Sequence, residues 1–134
     1  MGVMPPLLAA ALWTGLLILL MVVLSIRVVL GRFRHRVSTG EGPQGQLAQS
    51  ARSFGNASEY IPIGVAALIL LALLQTAALW IHVIGACLFI GRLVHPFGLA
   101  LKPPNALRIL GMSLTWLALL IAAVMLLIAS MALI

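Results

Sequence analysis

Four long apolar stretches, separated by short polar connections, dominate the pattern of the chain. Each predicted helix is at least as long as the roughly 20 residues that cross the hydrocarbon of a bilayer, although the first half of the second helix is polar. The pattern predicts helices over about 5–30, 46–74, 77–97 and 104–132, with loops over about 31–45 and 98–103. We therefore predict an all-α membrane protein in which residues 1–134 form a single four-helix transmembrane bundle.

The composition supports a membrane protein and argues against several other classes. Of the 134 residues, 63% are apolar and only 7% are charged, and a soluble domain of that composition lacks the polar atoms to cover its surface. The net charge of +6 lies in and beside short loops, so we expect no nucleic-acid partner. The single cysteine, Cys87, excludes an intramolecular disulfide, and the three histidines are too dispersed for a metal motif.

The positive charges predict how the chain is oriented in the membrane. Arginines and a lysine flank the first and third predicted loops, whereas the second connection and both termini carry no charged side chain. The positive-inside rule places the basic loops in the cytoplasm. With four helices, both termini then face outward. The apolar run at the N-terminus lacks the basic start of a signal peptide, so we interpret it as a retained helix.

Polar residues that are costly in a membrane gather towards the cytoplasmic ends of the predicted helices. In the second helix Arg52, Asn56 and Glu59 follow the spacing i, i+4, i+7, which stacks them on one face. In the third helix Arg92 and His95 are i, i+3 neighbours near its end. These two groups are therefore expected at a similar depth in the bilayer.

Two interpretations of these residues remain open on the sequence alone. A charged side chain costs about 2.5 kcal/mol or more at the centre of a membrane helix, so it persists when it is paired or lines a polar cavity. Arg52 and Glu59 would form an ion pair that only fixes the packing. Alternatively, together with Arg108 at the start of the fourth helix, they would bind a small ligand with carboxylates and an amine, because guanidinium groups bind carboxylates in bidentate fashion.

Three segments resemble a known family. RSFGNASEYIP, over 52–62, resembles the signature of the MAPEG family, the membrane-associated proteins of eicosanoid and glutathione metabolism. GRLVHPFGL, over 91–99, is similar to the end of the third helix in that family, and ALRILGMSLTW, over 106–116, to the start of the fourth helix in bacterial members. The resemblance implies a homotrimer in a bacterial inner membrane, with glutathione bound between neighbouring subunits near the cytoplasmic face.

The resemblance also implies a role for individual residues. Arg108 matches the arginine that lies beside the sulfur, where a cation favours the thiolate nucleophile, and it is the candidate catalytic residue. Arg32 is a weaker match, to a basic residue that contacts a glutathione carboxylate. The full set of residues that would bind glutathione is Arg32, Arg52, Asn56, Glu59, Tyr60, Arg92, His95 and Arg108.

The activity implied by the resemblance is a glutathione transferase or peroxidase with a role in detoxification. Its second substrate would be a lipophilic electrophile delivered by the membrane lipid. Family enzymes of eicosanoid synthesis carry tyrosines where this chain has Leu99 and Met112, which argues against that chemistry. One alternative is a non-catalytic protein that binds lipid or glutathione. A small transporter is a further alternative, but it would favour an acidic residue near the bilayer midplane, whereas Glu59 is expected nearer the cytoplasm.

Overall fold

Long helices account for most of the chain. The computed structural model describes residues 4–40 and 45–131. Helix α1 spans Pro6–His35, α2 spans Gln46–Leu73, α3 spans Ala78–Ala100 and α4 spans Ala106–Met131. All four are long and apolar enough to cross a membrane. The described chain is therefore all-helical, with four helices capable of spanning the bilayer.

Several helix ends differ from the sequence-based prediction. Helix α1 continues beyond Leu30 to His35 and ends where Arg36 adopts a left-handed conformation with φ 54°. Helix α3 continues through Pro96 to Ala100. The prediction ended α1 where its apolar run ended, but a helix needs no apolar residues once it leaves the hydrocarbon. In α3 the next residues, Gly98, Leu99 and Ala100, continue the helix. Residues 41–44 of the predicted first loop and residue 132, the predicted end of the fourth helix, lie outside the described residues.

Helices α2 and α3 occupy the centre of the bundle. Each contacts all three of the other helices, whereas α1 and α4 lie on opposite sides and share no contact within the described residues. The most extensive packing is between α3 and α4, which cross at Gly91 and Gly111. A Cβ added at Gly91 would lie 2.8 Å from the Gly111 carbonyl oxygen, so the backbones are in contact. Small residues permit such close crossings between membrane helices.

Charged side chains concentrate in one half of the bundle. We call this the charged end; it contains the C-terminal halves of α1 and α3 and the N-terminal halves of α2 and α4. At the opposite end, residues 74–77 connect α2 to α3 without a charged side chain. The packing there is apolar, with Leu17, Leu71 and Ile81 fully buried. The antiparallel order of the helices thus brings the polar segments of all four to one side.

The close crossing of α3 and α4 predicts the effect of adding one methyl group. Replacing Gly111 by alanine should lower the free energy of unfolding by about 1–3 kcal/mol, because the methyl would overpack a rigid contact. It would lie 2.9 Å from both the Gly91 carbonyl oxygen and the His95 Cβ atom. Thermal or denaturant unfolding of the purified protein in detergent measures this change.

The matched control is Gly15→Ala, since a Cβ at Gly15 meets nothing within 4 Å. Stability should be unchanged or raised by up to about 1 kcal/mol there, because alanine is the better helix former. Equal stability of the Gly111→Ala variant and the wild type would contradict the close crossing.

Candidate functional site

Arg92 is the central residue of the charged end. It lies on α3 with only 1% of its surface exposed, and its guanidinium contacts two of the three neighbouring helices, α2 and α4. Its Nε donates a hydrogen bond to Thr115 Oγ1 on α4 at 2.9 Å, and its Nη1 donates to Asn56 Oδ1 on α2. Its Nη2 lies 3.3 Å from both the Gly111 carbonyl oxygen and Met112 Sδ. One side chain therefore connects α2, α3 and α4.

All these partners of Arg92 are neutral. A hydroxyl, an amide, a carbonyl and a thioether receive its hydrogen bonds, and the ring of Tyr60 lies 5.2 Å from the guanidinium carbon. The cation–π contact and the dipoles offset part of the desolvation of the charge. No carboxylate balances it among the described residues. The guanidinium therefore contributes a positive potential to its surroundings, which favours an anion nearby.

His95 lies one turn beyond Arg92 on α3 and is also buried, with 4% of its surface exposed. Its Cβ packs where α4 passes at Gly111. His95 therefore lies at the crossing of α3 and α4, beside the buried Arg92.

The polar residues of α2 divide between two directions. Asn56 and Tyr60, four residues apart, face Arg92. Arg52 and Glu59 are exposed on the surface of the single chain. In the described residues no ion pair joins Arg52 to Glu59, so the packing role considered from the sequence is not realised within one chain. Both side chains remain available to a ligand or to a neighbouring subunit.

Arg108 lies in the first turn of α4 and its side chain is exposed. Its position is fixed by Asn105, whose Oδ1 accepts a hydrogen bond from the Arg108 N–H at 3.0 Å. The Asn105 Nδ2 donates to the Gly98 carbonyl at the end of α3 at 2.8 Å, which joins the two helix ends. A cation at a helix N-terminus is unfavourable with respect to the helix dipole. Helix stability therefore does not explain an arginine here.

A largely apolar pocket of about 340 Å³ adjoins Arg108. Ile109, Met112 and Trp116 of α4 contribute to its wall, together with Pro103 and Pro104 of the preceding connection. Arg108 is the charged side chain among its lining residues. The pocket thus places apolar surface next to a solvated cation.

Arg32 lies apart from the cluster around Arg92 within one chain. It is on the last turn of α1, and its Nη2 donates to the Gly40 carbonyl at 3.2 Å. Its Nε is buried without a hydrogen-bond partner in the described structure. Together with Phe33 and Arg36 it lines a separate pocket of about 490 Å³. The structure therefore does not bring Arg32 to the other predicted site residues within a single chain.

Sequence reasoning missed the α4 residues that hold Arg92. Thr115 is fully buried and itself donates to the Gly111 carbonyl at 2.8 Å while it accepts from Arg92. Met112 was noted only as a position where related enzymes differ. The available signal was the spacing of Gly111 and Thr115, which puts a small residue and a hydroxyl on the same face of α4.

Comparisons with known proteins identify the family of this chain. The model of the MAPEG family matches residues 10–128. The chain belongs to the MAPEG family. Two relatives, both called inner membrane protein YecN, come from Escherichia coli strain K12 and from Escherichia coli O6:H1 strain CFT073. Each is 36% identical over 112 residues, covering 84% of this chain and 85% of the relative. The MAPEG match confirms the resemblance seen in the three sequence segments.

In this MAPEG chain, the buried position of Arg92 predicts strong sensitivity to a conservative change. Arg92→Lys should lower the free energy of unfolding by about 1–3 kcal/mol, because lysine cannot supply the planar set of donors and leaves buried acceptors unpaired. The midpoint of thermal unfolding in detergent measures the effect. Arg34→Lys, the same change at an exposed position of α1, is the matched control and should be nearly neutral. Equal effects of the two changes would contradict the buried network.

Proposed function

We propose that this protein is a glutathione-binding protein of the bacterial inner membrane that transfers glutathione to lipophilic electrophiles. It acts as a homotrimer, with each binding site between neighbouring subunits. The thiolate of glutathione attacks the electrophile, either by addition or by displacement of a leaving group. The same site has the chemistry for a peroxidase reaction, in which the thiolate attacks a peroxide oxygen and the O–O bond breaks to release an alcohol. A second glutathione then reduces the resulting sulfenic acid to give the disulfide and water.

The observation that carries the proposal is the buried guanidinium of Arg92 with neutral partners only. A buried charge without a counter-ion is costly, and an anionic ligand offsets that cost. Glutathione brings two carboxylates and one amine. Exposed Arg52 and the positive potential of Arg92 suit the carboxylates, and exposed Glu59 suits the amine. The residues present therefore fit the ligand that the family membership suggests.

The position of Glu59 supports assembly with neighbouring subunits. It is the fourteenth of the 28 residues of α2, about 20 Å along the helix from its start, and it is exposed on the single chain. An ionised carboxylate that faces lipid within a membrane-spanning helix would be expensive. A neighbouring subunit that covers this face, with a ligand between, removes the cost. The trimer thus accounts for polar side chains that one chain leaves uncovered.

The catalytic step that we propose places the sulfur of glutathione beside Arg108. A free thiol has a pKa of about 8.5, and a fixed cation stabilises the thiolate that performs the attack. The proton leaves to solvent at the charged end. The adjoining apolar pocket of about 340 Å³ suits a lipophilic electrophile. In a displacement, the carbon–sulfur bond forms as the bond to the leaving group breaks, and the leaving group departs as an anion.

The location in the cell follows from the relatives and from the distribution of charge. The two related proteins are called inner membrane proteins, and we propose the same membrane for this chain. By the positive-inside rule, the basic residues support our proposal that the charged end faces the cytoplasm and both termini face outward. Glutathione, a solute of the reducing cytoplasm, then reaches the site directly. The electrophile enters from the lipid.

A non-catalytic binding protein is the second candidate, and one observation favours it. Tyr60 is the only tyrosine of the chain, and its ring lies against Arg92 rather than in the pocket beside Arg108. A thiolate in this protein therefore relies on Arg108 alone, without a nearby phenol. Glutathione binding without turnover in the wild type would identify this second function.

Substitution of Arg108 tests the transferase. Arg108→Met should lower the rate of conjugation to a chloronitrobenzene by about 10²–10³-fold, because one electrostatic contact to the reacting atom is lost. Glutathione binding, measured by calorimetry on the detergent-purified protein, should change far less. The pH at which the rate is half-maximal should rise towards the pKa of a free thiol, about 8.5.

Lys102→Met is the matched control. Lys102 is an exposed cation in the connection that precedes α4, and its side chain is not among those that line the pocket beside Arg108. Its removal should leave both the rate and its pH dependence unchanged. A wild-type-like rate for Arg108→Met would rule out the proposed role of Arg108.

A further inference from the structure

A polar pocket of about 310 Å³ lies at the charged end on the opposite side of α1 from Arg32 and Arg36. It lies between the last turns of α1 and the first turns of α2, and Ala100 at the end of α3 also contributes to it. None of the residues assigned above to glutathione lines it. Its polar lining residues are Arg27, Arg34 and His35 of α1, with Gln46, Gln49 and Ser50 of α2.

The pocket has the chemistry of an anion site. Every ionisable side chain that lines it is basic. Arg27 and Arg34 are seven residues apart, which places them on one face of α1 with about 10 Å between them along the axis. The amides and the hydroxyl of α2 add hydrogen-bond donors from the facing wall.

The start of α2 adds to the positive potential of the pocket. The helix begins after Gly45, which provides no side-chain cap, and its first turn holds no acidic residue. Gln46 and Gln49, on the first turn, both line the pocket. The positive end of the helix dipole therefore lies beside the basic face of α1, and such helix ends favour phosphate groups.

The depth of the pocket matches the headgroups of a bilayer. With 30 residues, α1 is about 45 Å long, whereas the hydrocarbon is about 30 Å thick. About ten residues of α1 therefore extend beyond the hydrocarbon. The charge distribution assigns this extension to the C-terminal end, which contains Arg27, Arg34 and His35.

We propose that this pocket binds the phosphate of an anionic phospholipid. The headgroup contacts Arg27 and Arg34 on one side and the first turn of α2 on the other, and the acyl chains follow the exposed apolar surface of α1 on the hydrocarbon side of Arg27, which includes Leu19 and Val23. Basic pockets between membrane helices bind such headgroups on the cytoplasmic side. The bound lipid connects α1 to α2. This proposal does not depend on the glutathione site.

Native mass spectrometry of the detergent-purified full chain with phosphatidylglycerol or phosphatidylcholine tests the proposal. The wild type should retain phosphatidylglycerol in preference to phosphatidylcholine. The double variant Arg27→Gln/Arg34→Gln should bind phosphatidylglycerol at least about tenfold more weakly, because each basic residue contributes to the attraction. Gln49→Glu should also weaken binding, since it adds a negative charge to the pocket without removing an arginine.

The matched control is Arg36→Gln/Lys102→Gln, which removes the same charge from exposed positions outside the pocket. It should retain near wild-type binding. Equal losses of phosphatidylglycerol affinity in the two double variants would indicate a general attraction between basic residues and anionic lipid, and would overturn the proposal. So would inorganic phosphate that binds the wild type as tightly as phosphatidylglycerol does, since that would indicate a soluble ligand. Thermal unfolding in lipid-free detergent checks that each variant is folded. If the arginine variant is unfolded, phosphatidylglycerol binding by Gln49→Glu decides the test.

Discussion

The burial of one guanidinium in a membrane helix bundle constrains the whole charged end of this protein. Arg92 is fully buried on α3, and its N–H donors need acceptors from α2 and α4. Loss of any acceptor would leave part of a charged group unpaired in a region of low dielectric. The position of α2 relative to α4 is therefore fixed by the hydrogen bonds to Asn56 and Thr115. The close crossing of α3 and α4 at Gly91 and Gly111 lets Thr115 approach Arg92.

The same constraint relates structure to function. The neutral environment of Arg92 leaves a positive potential at the charged end. Arg52, Glu59 and Arg108 are exposed in the same half of the bundle and offer groups suited to a zwitterionic ligand. The apolar pocket beside Arg108 provides a place for a lipophilic partner. The opposite half of the bundle, by contrast, is apolar and contributes mainly packing. We thus expect ligand chemistry in one half of the molecule and membrane anchorage in both.

The sequence predicted the number of helices and the convergence of polar residues, because hydrophobic length and helical spacing are local properties. Asn56 and Arg92 were expected to share a depth, and they form a hydrogen bond. The sequence did not predict Thr115 as a partner, since a neutral hydroxyl within an apolar run has a weak signal. Nor did it separate Asn56, which faces Arg92, from Glu59, which is exposed. That division depends on how α2 rotates against its neighbours.

Two further differences have physical causes beyond spacing. The end of α1 at His35 is determined by the backbone conformation of Arg36, not by the end of the apolar run. Arg32 lies in a pocket of its own within one chain, and only contacts between subunits would bring it to the cluster around Arg92. A single sequence does not show contacts between subunits. The assignment of Arg32 to glutathione therefore stays a prediction about the assembly.

The most direct test of this account is a high-resolution structure of the protein in a lipid nanodisc with glutathione. The account predicts a trimer with tripeptide density between subunits, its carboxylates near Arg52 and the Arg92 cluster and its sulfur beside Arg108. Arg52 and Glu59 facing lipid, with no density in a cleft between subunits at saturating glutathione, would contradict it.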